Sequence, residues 1–311
     1  MTKIRGMSLY SMLRGSRGNS GFGYASTAED VTQGLDLTGK KILITGVNSG
    51  LGAESARVLA MRGATILGAA RTEEKARSAC AGLPNRAVPL ACELSDPASV
   101  RACAETAKAE APIDVILCNA GIMALPKRTL KHGQELQFFT NHVGHFLLVT
   151  GLLESLSDDG RVVMLSSAAH AWAPNGGIQF DDLSFEHNYS PNKSYGQSKL
   201  ANLLFAKALA TRLPKPAQTA NSLHPGVIAT NLGRHMPLAL QALMPVATAI
   251  AMKTIPQGSA TQCYVATHPS LKDTSGEYFS DCNIAKTSSY GRDAALAERL
   301  WTVTEEIVAS L

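Results

Sequence analysis

The sequence predicts a single α/β domain built on a doubly wound parallel sheet, and three observations carry that prediction. Short apolar, β-rich runs alternate with helical stretches along the chain. The first of these runs ends in a glycine turn, Thr45-Gly46-Val47-Asn48-Ser49-Gly50-Leu51-Gly52. Further on, Tyr195 and Lys199 stand in Tyr195-Gly196-Gln197-Ser198-Lys199, a spacing that stacks both side chains on one face of a helix. At 311 residues, 45% apolar and 17% charged, one domain of this class has a sufficient core.

In chain order, residues 1–35 carry Lys3, Arg5, Arg14 and Arg17, many Ser and Gly, and no acid before Glu29. That composition predicts a flexible, solvated arm, with an organelle transit peptide as the second reading. It contains no apolar run of signal-peptide or membrane-spanning character. The run Lys41 to Thr45 reads as the first strand and Ala53 to Met61 as the helix after it. Further strands are expected at Thr65 to Ala70, Ala87 to Ala91, Val115 to Cys118 and Val162 to Leu165. Strands alternating with helices imply a parallel sheet covered on both faces, and right-handed crossovers place the ligand crevice beyond the strands' carboxyl ends. The candidate residues below fall at such strand ends or on the helices that follow.

Composition excludes several classes of function. Lys plus Arg number 29 against 25 Asp plus Glu, a net charge of +4, and aromatics are 5% of the chain. Neither value fits a nucleic-acid surface. Six cysteines, at positions 80, 92, 103, 118, 263 and 282, form no C-x-x-C pair and read as free thiols in a reducing compartment. His142 and His145 lie one helical turn apart but lack a third ligand, so no metal is expected. A cytoplasmic location follows, with organelle import through residues 1–35 left open.

Gly46, Gly50 and Gly52, with Asn48, Ser49 and Leu51 between them, let the backbone turn sharply and present helix amino-terminal N–H groups to a pyrophosphate. At the end of the second strand, Gly68-Ala69-Ala70 is followed by Arg71-Thr72. The acid that would hold the 2′-hydroxyl of NAD is missing, and a guanidinium stands beside its place. A charge-assisted bond to a 2′-phosphate contributes about 1.5–3 kcal/mol, which favours NADP(H). Tyr195 is the candidate acid and base for interconverting a carbonyl and an alcohol. A phenol of ordinary pKa near 10 needs help to lose its proton. A cation about 4 Å away supplies on the order of 4 kcal/mol, so Lys199 is expected to deliver most of the downward shift. Ser166 and Ser167, after the run to Leu165, each offer a hydroxyl for the substrate oxygen.

Further motifs accompany these: Asn119-Ala120-Gly121, Asn141 within Phe139-Thr140-Asn141-His142, and Pro225-Gly226 followed by Thr230. With them, the chain resembles the short-chain dehydrogenase/reductase superfamily over roughly residues 36–311. Ser198 to Asn202, Tyr278 to Cys282 and Ala297 to Trp301 are similar to its retinol dehydrogenase-like branch. The resemblance implies a Rossmann-type fold and Asn141, Ser167, Tyr195 and Lys199 as the catalytic set, with Ser167 chosen over Ser166 and Asn141 in a proton relay through Lys199. It implies that Asn119, Ala120 and Gly121 line the adenosine side and that Thr230 reaches the nicotinamide carboxamide. Tyr195 and Lys199 would also touch the cofactor. Glu93, before Leu94, stands where the family often has Asp and would contact the adenine. The stretch 168–194 and a lid around residues 231–255, rich in Leu, Ala and Met, would enclose a hydrophobic aldehyde, ketone or alcohol; an ordinary core or dimer helix is the other reading of the second stretch. Relatives commonly form homodimers through the helices carrying Asn141 and Tyr195, and many animal retinol dehydrogenases carry an amino-terminal membrane anchor that is not evident here.

A second reading is a dinucleotide-sensing interaction protein. The region from Gly21-Phe22-Gly23 through Ser26-Thr27-Ala28-Glu29 is similar to short-chain dehydrogenases associated with the chloroplast protein-import translocon. The intact Ser, Tyr and Lys favour turnover, because a sensor needs no proton-transfer groups.

Overall fold

In a computed structural model, residues 17–228 and 252–311 are described. Strand β1 (Lys41–Thr45) leads to helix α1 (Gly50–Met61), β2 (Thr65–Ala70) to α2 (Glu73–Ala81), and β3 (Ala87–Ala91) to α3 (Pro97–Lys108). After β4 (Ile113–Cys118) comes a composite helix α4. It runs as an α-turn at Leu136–Phe138, a π-helical stretch at Phe139–Val143 and an α-helix at Gly144–Leu152. Strand β5 (Leu156–Leu165) leads through an insertion to α5 (Pro191–Leu209). Then follow β6 (Thr219–His224), α6 (Ile255–Thr267), β7 (Tyr278–Ser280), β8 (Asn283–Ile284) and α7 (Ala294–Ala309).

The main sheet has eight strands in the order β8-β7-β6-β5-β4-β1-β2-β3. All neighbours are parallel except the β7/β8 pair. Its strands read as near-continuous apolar runs because both faces are covered: Ile42, Leu43 and Ile44 of β1 are all fully buried. One face packs against α3, α4, α5 and α7, the other against α1 and α6. Helix starts follow local rules. Asp96 caps α3 ahead of Pro97, Ser190 caps α5 ahead of Pro191, and Thr254 with Gln257 forms a capping box on α6. The strand order reverses where β1 lies between β4 and β2, and a doubly wound sheet opens its crevice at that switch point.

Three expectations differ from the structure. Residues 17–35 are not a solvated arm. Thr27 caps a helical turn at Ala28–Val31, and Ala28, Val31 and Leu37 belong to the buried core on the α1 and α6 face. Phe22 meets Tyr264 edge to face at 5.6 Å, and Asn283 bonds both Ser20 and Phe22. Apolar residues spaced among Ser and Gly dock this segment, which its average composition conceals.

The homodimer face expected on the helices carrying Asn141 and Tyr195 is covered by the chain itself. Residues 196–206 of α5 and 144–149 of α4 are buried, and α7 lies over them. Trp301 of α7 stacks on Phe205 at 5.6 Å and meets Phe146 at 5.0 Å. The third difference is β6, absent from the expected strands. Its sequence, Thr-Ala-Asn-Ser-Leu-His, lacks a β-branched run, yet it is buried because Asn221 bonds the backbone of Thr274 and Glu277.

Of the lid expected around residues 231–255, only 252–255 lie within the described residues, and Thr230 lies outside them. The stretch 168–194 forms two short 3₁₀ turns, and it inserts Ile178 and Leu183 into the core while leaving Trp172 exposed.

Candidate active site

The glycine turn joins β1 to α1 at the switch point. Gly46 and Gly50 adopt left-handed φ values of 75° and 56°, where a side chain would be strained. A Cβ on Gly52 would run into the Gly46 carbonyl and lie 2.6 Å from Asn119 Nδ2. Ser49 caps α1 with no side-chain bond of its own, and the first turn carries no acid. Asn48 and Leu51 lie within the same turn, and the Leu51 carbonyl accepts from Gln262 at 3.2 Å. Across the crevice, Asn119 Nδ2 donates to the Thr45 carbonyl at 2.8 Å, while its buried Oδ1 has no partner. A backbone cradle that Cβ atoms would fill, unspent helix N–H groups and an orphaned acceptor together fit a dinucleotide.

At the end of β2, Arg71 Nε lies 3.0 Å from Glu93 Oε2. Thr72 caps α2 by accepting from Lys75 N. Glu93 is itself held, because its Oε1 accepts from Ser95 N at 3.1 Å and Ser95 Oγ at 2.9 Å. Leu94 is buried under α4, where its carbonyl sits against Gly144.

Beyond β4, the Thr45 hydroxyl accepts from Asn119 N and Ala120 N, each at 3.0 Å. Its own proton is therefore left for His145 Nε2, 2.9 Å away. His145 Nδ1 donates in turn to the Asn141 carbonyl at 2.9 Å. One neutral tautomer meets both demands, and burial lowers its pKa to about 4. Asn141 is fully buried in the π-helical stretch, unlike a solvent-facing mid-helix Asn. It exchanges bonds with Ile122 N and O at 2.8 and 2.9 Å and donates to Ser198 Oγ at 2.9 Å. A Cβ on Gly121 would lie 3.1 Å from Asn141 Oδ1 and 3.5 Å from Lys199 Nζ.

Helix α5 closes the site. Gly196 lets it approach the 3₁₀ turn Ala168–Trp172 so tightly that a Cβ would lie 2.7 Å from the Trp172 carbonyl carbon. That approach brings half-buried Tyr195 near Ser167, whose hydroxyl opposes the upward pull of burial on the phenol. Ser166 instead donates to the Lys199 carbonyl at 2.7 Å, which gives the two neighbouring serines different work. Lys199 is buried and donates to the Leu165 carbonyl at 2.9 Å, with Nζ 5.7 Å from the Tyr195 ring centre.

The electrostatics differ from the expectation that Lys199 draws the phenol down. Burial raises the Tyr195 pKa to about 12, opposed by the Ser167 hydroxyl, and burial lowers Lys199 to about 8. Desolvation of the phenolate outweighs an ammonium that points at a backbone carbonyl. Tyr195 is therefore firmly protonated at neutral pH.

Several residues of this site went unnoticed in the sequence. His170 donates through Nδ1 to the Ser167 carbonyl at 2.6 Å and accepts from Ser288 N at 3.0 Å. Pro225 and Gly226 follow β6, and the left-handed Gly226 rests on the stem of Lys253, whose Nζ pairs with Asp281 at 2.5 Å. Lys253 is fully buried, and only its position just past an apolar run would have hinted at it. His142 and His145 turn to different partners, His142 to Thr304 Oγ1 at 2.9 Å. Among the described residues no group of three or more potential ligands forms.

Comparison with known proteins agrees with this geometry. The short chain dehydrogenase family model matches residues 40–179. "Short-chain dehydrogenase TIC 32 A, chloroplastic" of Brassica napus is 43% identical, covering 98% of this chain and all of its own. Human retinol dehydrogenase 14 is 38% identical over 88% of each chain. A crystal structure of an uncharacterized protein from Mycobacterium paratuberculosis superposes with a TM-score of 0.74 at 34% identity, covering 92% of this chain and 98% of that one. The chain belongs to the short-chain dehydrogenase/reductase family of oxidoreductases, in its retinol dehydrogenase-like branch.

Proposed function

We propose that the protein is an NADP(H)-dependent oxidoreductase acting on a hydrophobic aldehyde, ketone or alcohol, with Tyr195 as its acid and base. The observation that carries this reading is the convergence of Ser167, Tyr195 and Lys199 beside the glycine cradle of β1. Gly46, Asn48, Ser49, Gly50, Leu51 and Gly52 would hold the pyrophosphate, Asn119, Ala120 and Gly121 the adenosine side, and Arg71 with Thr72 the 2′-phosphate. Tyr195, Lys199, Pro225, Gly226 and Thr230 would lie along the nicotinamide half. When bound, the nicotinamide supplies or accepts the hydride.

The chain's own part is the proton. The Ser167 hydroxyl holds the substrate oxygen, and the phenol, protonated up to about pH 12, donates its proton to the oxygen as charge develops there. The buried Lys199 ammonium, charged below about pH 8, stabilises the phenolate left behind. Asn141, fixed by Ile122 and Ser198, would serve a water-mediated relay through which Lys199 regains its proton from solvent. Following NADPH absorbance across a panel of apolar and polar carbonyls tests the reading: turnover confined to sugars or charged acids contradicts it.

A second reading, a dinucleotide sensor for a protein partner, draws support from the full-length similarity to TIC 32 A and from the docked segment 17–35. Binding of NADPH and a partner with no turnover of any carbonyl would favour it. The chloroplastic name of that relative also supports an organelle location over a cytoplasmic one. Among the described residues no helix is long and apolar enough to cross a membrane. Fractionation of the source cells tests the location, and a purely cytosolic signal contradicts it.

A further inference from the structure

We propose that Glu93 is a specificity-determining residue that tempers the preference for a 2′-phosphorylated dinucleotide. The inference rests on the reading of Arg71 as the 2′-phosphate ligand. It starts from a departure: Glu stands at position 93 where the family often has Asp, and its carboxylate faces a cation. Arg71 Nε sits 3.0 Å from Glu93 Oε2. The other oxygen, Oε1, is fixed by the Ser95 amide at 3.1 Å and the Ser95 hydroxyl at 2.9 Å, and the Glu93 amide donates to Ser99 Oγ at 2.9 Å. The carboxylate is thus anchored from its own loop, and the arginine, with 62% of its side chain exposed, is the mobile partner.

Two consequences follow from charge alone. A phosphate arriving at Arg71 meets a guanidinium already neutralised by a carboxylate it must share, and that carboxylate, within a few ångströms, repels the new anion. A dinucleotide lacking the phosphate leaves the Arg71–Glu93 pair intact, so it strands no cation. Glu93 therefore narrows the gap between the two cofactors, and Arg71 without it would discriminate more sharply. Arg71 is largely exposed and Glu93 partly so, which limits the effect to that of a surface ion pair, about two- to fivefold in a binding constant.

The test is calorimetric binding of 2′,5′-ADP and 5′-AMP to the full chain, which needs no turnover. Glu93→Gln keeps an oxygen for Ser95 but removes the charge. It is expected to raise the ratio of 2′,5′-ADP to 5′-AMP affinity about two- to fivefold, a ratio in which any change at the adenine shared by the two probes cancels. Glu105→Gln on the exposed face of α3 controls for net charge and leaves the ratio unchanged. Arg71→Ala removes the preference, and in that background Glu93→Gln raises the ratio less than it does with Arg71 present, because only the direct repulsion is relieved. If Arg71→Ala abolishes the preference but Glu93→Gln leaves it equal or lower, the inference is overturned and the NADP(H) reading stands. If Arg71→Ala leaves the preference intact, both are overturned.

Discussion

Tyr195 is held as an acid by its surroundings. Burial keeps its proton on to about pH 12, and burial takes the proton off Lys199 near pH 8. The two shifts set the pH response of carbonyl reduction. The phenol stays protonated across the working range, so the rate holds at neutral pH. It falls as pH rises through about 8, where Lys199 loses the charge that stabilises the departing phenolate. In Lys199→Arg the guanidinium keeps its proton, and the falling limb of the kcat profile moves up in pH or disappears; an unmoved limb assigns it to another group. Arg71→Ala is expected to cut the kcat/KM ratio of NADPH over NADH by about tenfold or more. Equal use of the two cofactors by the unaltered protein contradicts the assignment outright. Ser166 and Ser167 mark the limit of sequence at this scale: neighbouring hydroxyls look alike until Ser166 is seen to bond the α5 backbone.

At the scale of elements, the legible parts were those with a strong period or a steric punctuation mark. Strands β1, β2 and β3 carry uninterrupted apolar runs and match their expected limits, and the glycine turn sits where its spacing requires. The polar strand β6 was not legible, because side-chain bonds from Asn221 replace the apolar signal. The early half of β5, Ser157-Asp158-Asp159-Gly160, reads as a turn and is a bulge in the structure, between the pairs Leu156–Ile113 and Arg161–Val115. His145 was weighed only as a metal ligand, whereas it bridges Thr45 on β1 and Asn141 on α4. Close approach is the device that holds these elements in place. Gly52→Ala puts a methyl into the Gly46 carbonyl, and it is expected to destabilise the fold by about 1–3 kcal/mol and weaken NADPH binding at least about tenfold. A thermal melt and a fluorescence titration check the two effects separately.

For the whole molecule, self-coverage is the dominant fact. Helix α7 lies over α4 and α5, so light scattering is expected to return a monomer of 32.8 kDa; a stable dimer contradicts this. Truncation before residue 36 removes Ala28 and Val31 from the core and costs about 3 kcal/mol or more. The buried histidines set the acid limit. His142 and His145 have folded pKa values of about 3 and about 4 against an ordinary value of 6.5. The unfolded chain takes up their protons first, so stability is lost as pH falls from about 6.5 toward 3. The central claim is that Tyr195 donates its proton beside a bound nicotinamide, and Tyr195→Phe tests it most directly when NADPH affinity and turnover of an apolar aldehyde are measured on one preparation. The expected result is NADPH affinity within about twofold of the parent with turnover reduced by about 10²–10⁴-fold. Turnover within a few-fold of the parent, with the cofactor still bound, would contradict the account.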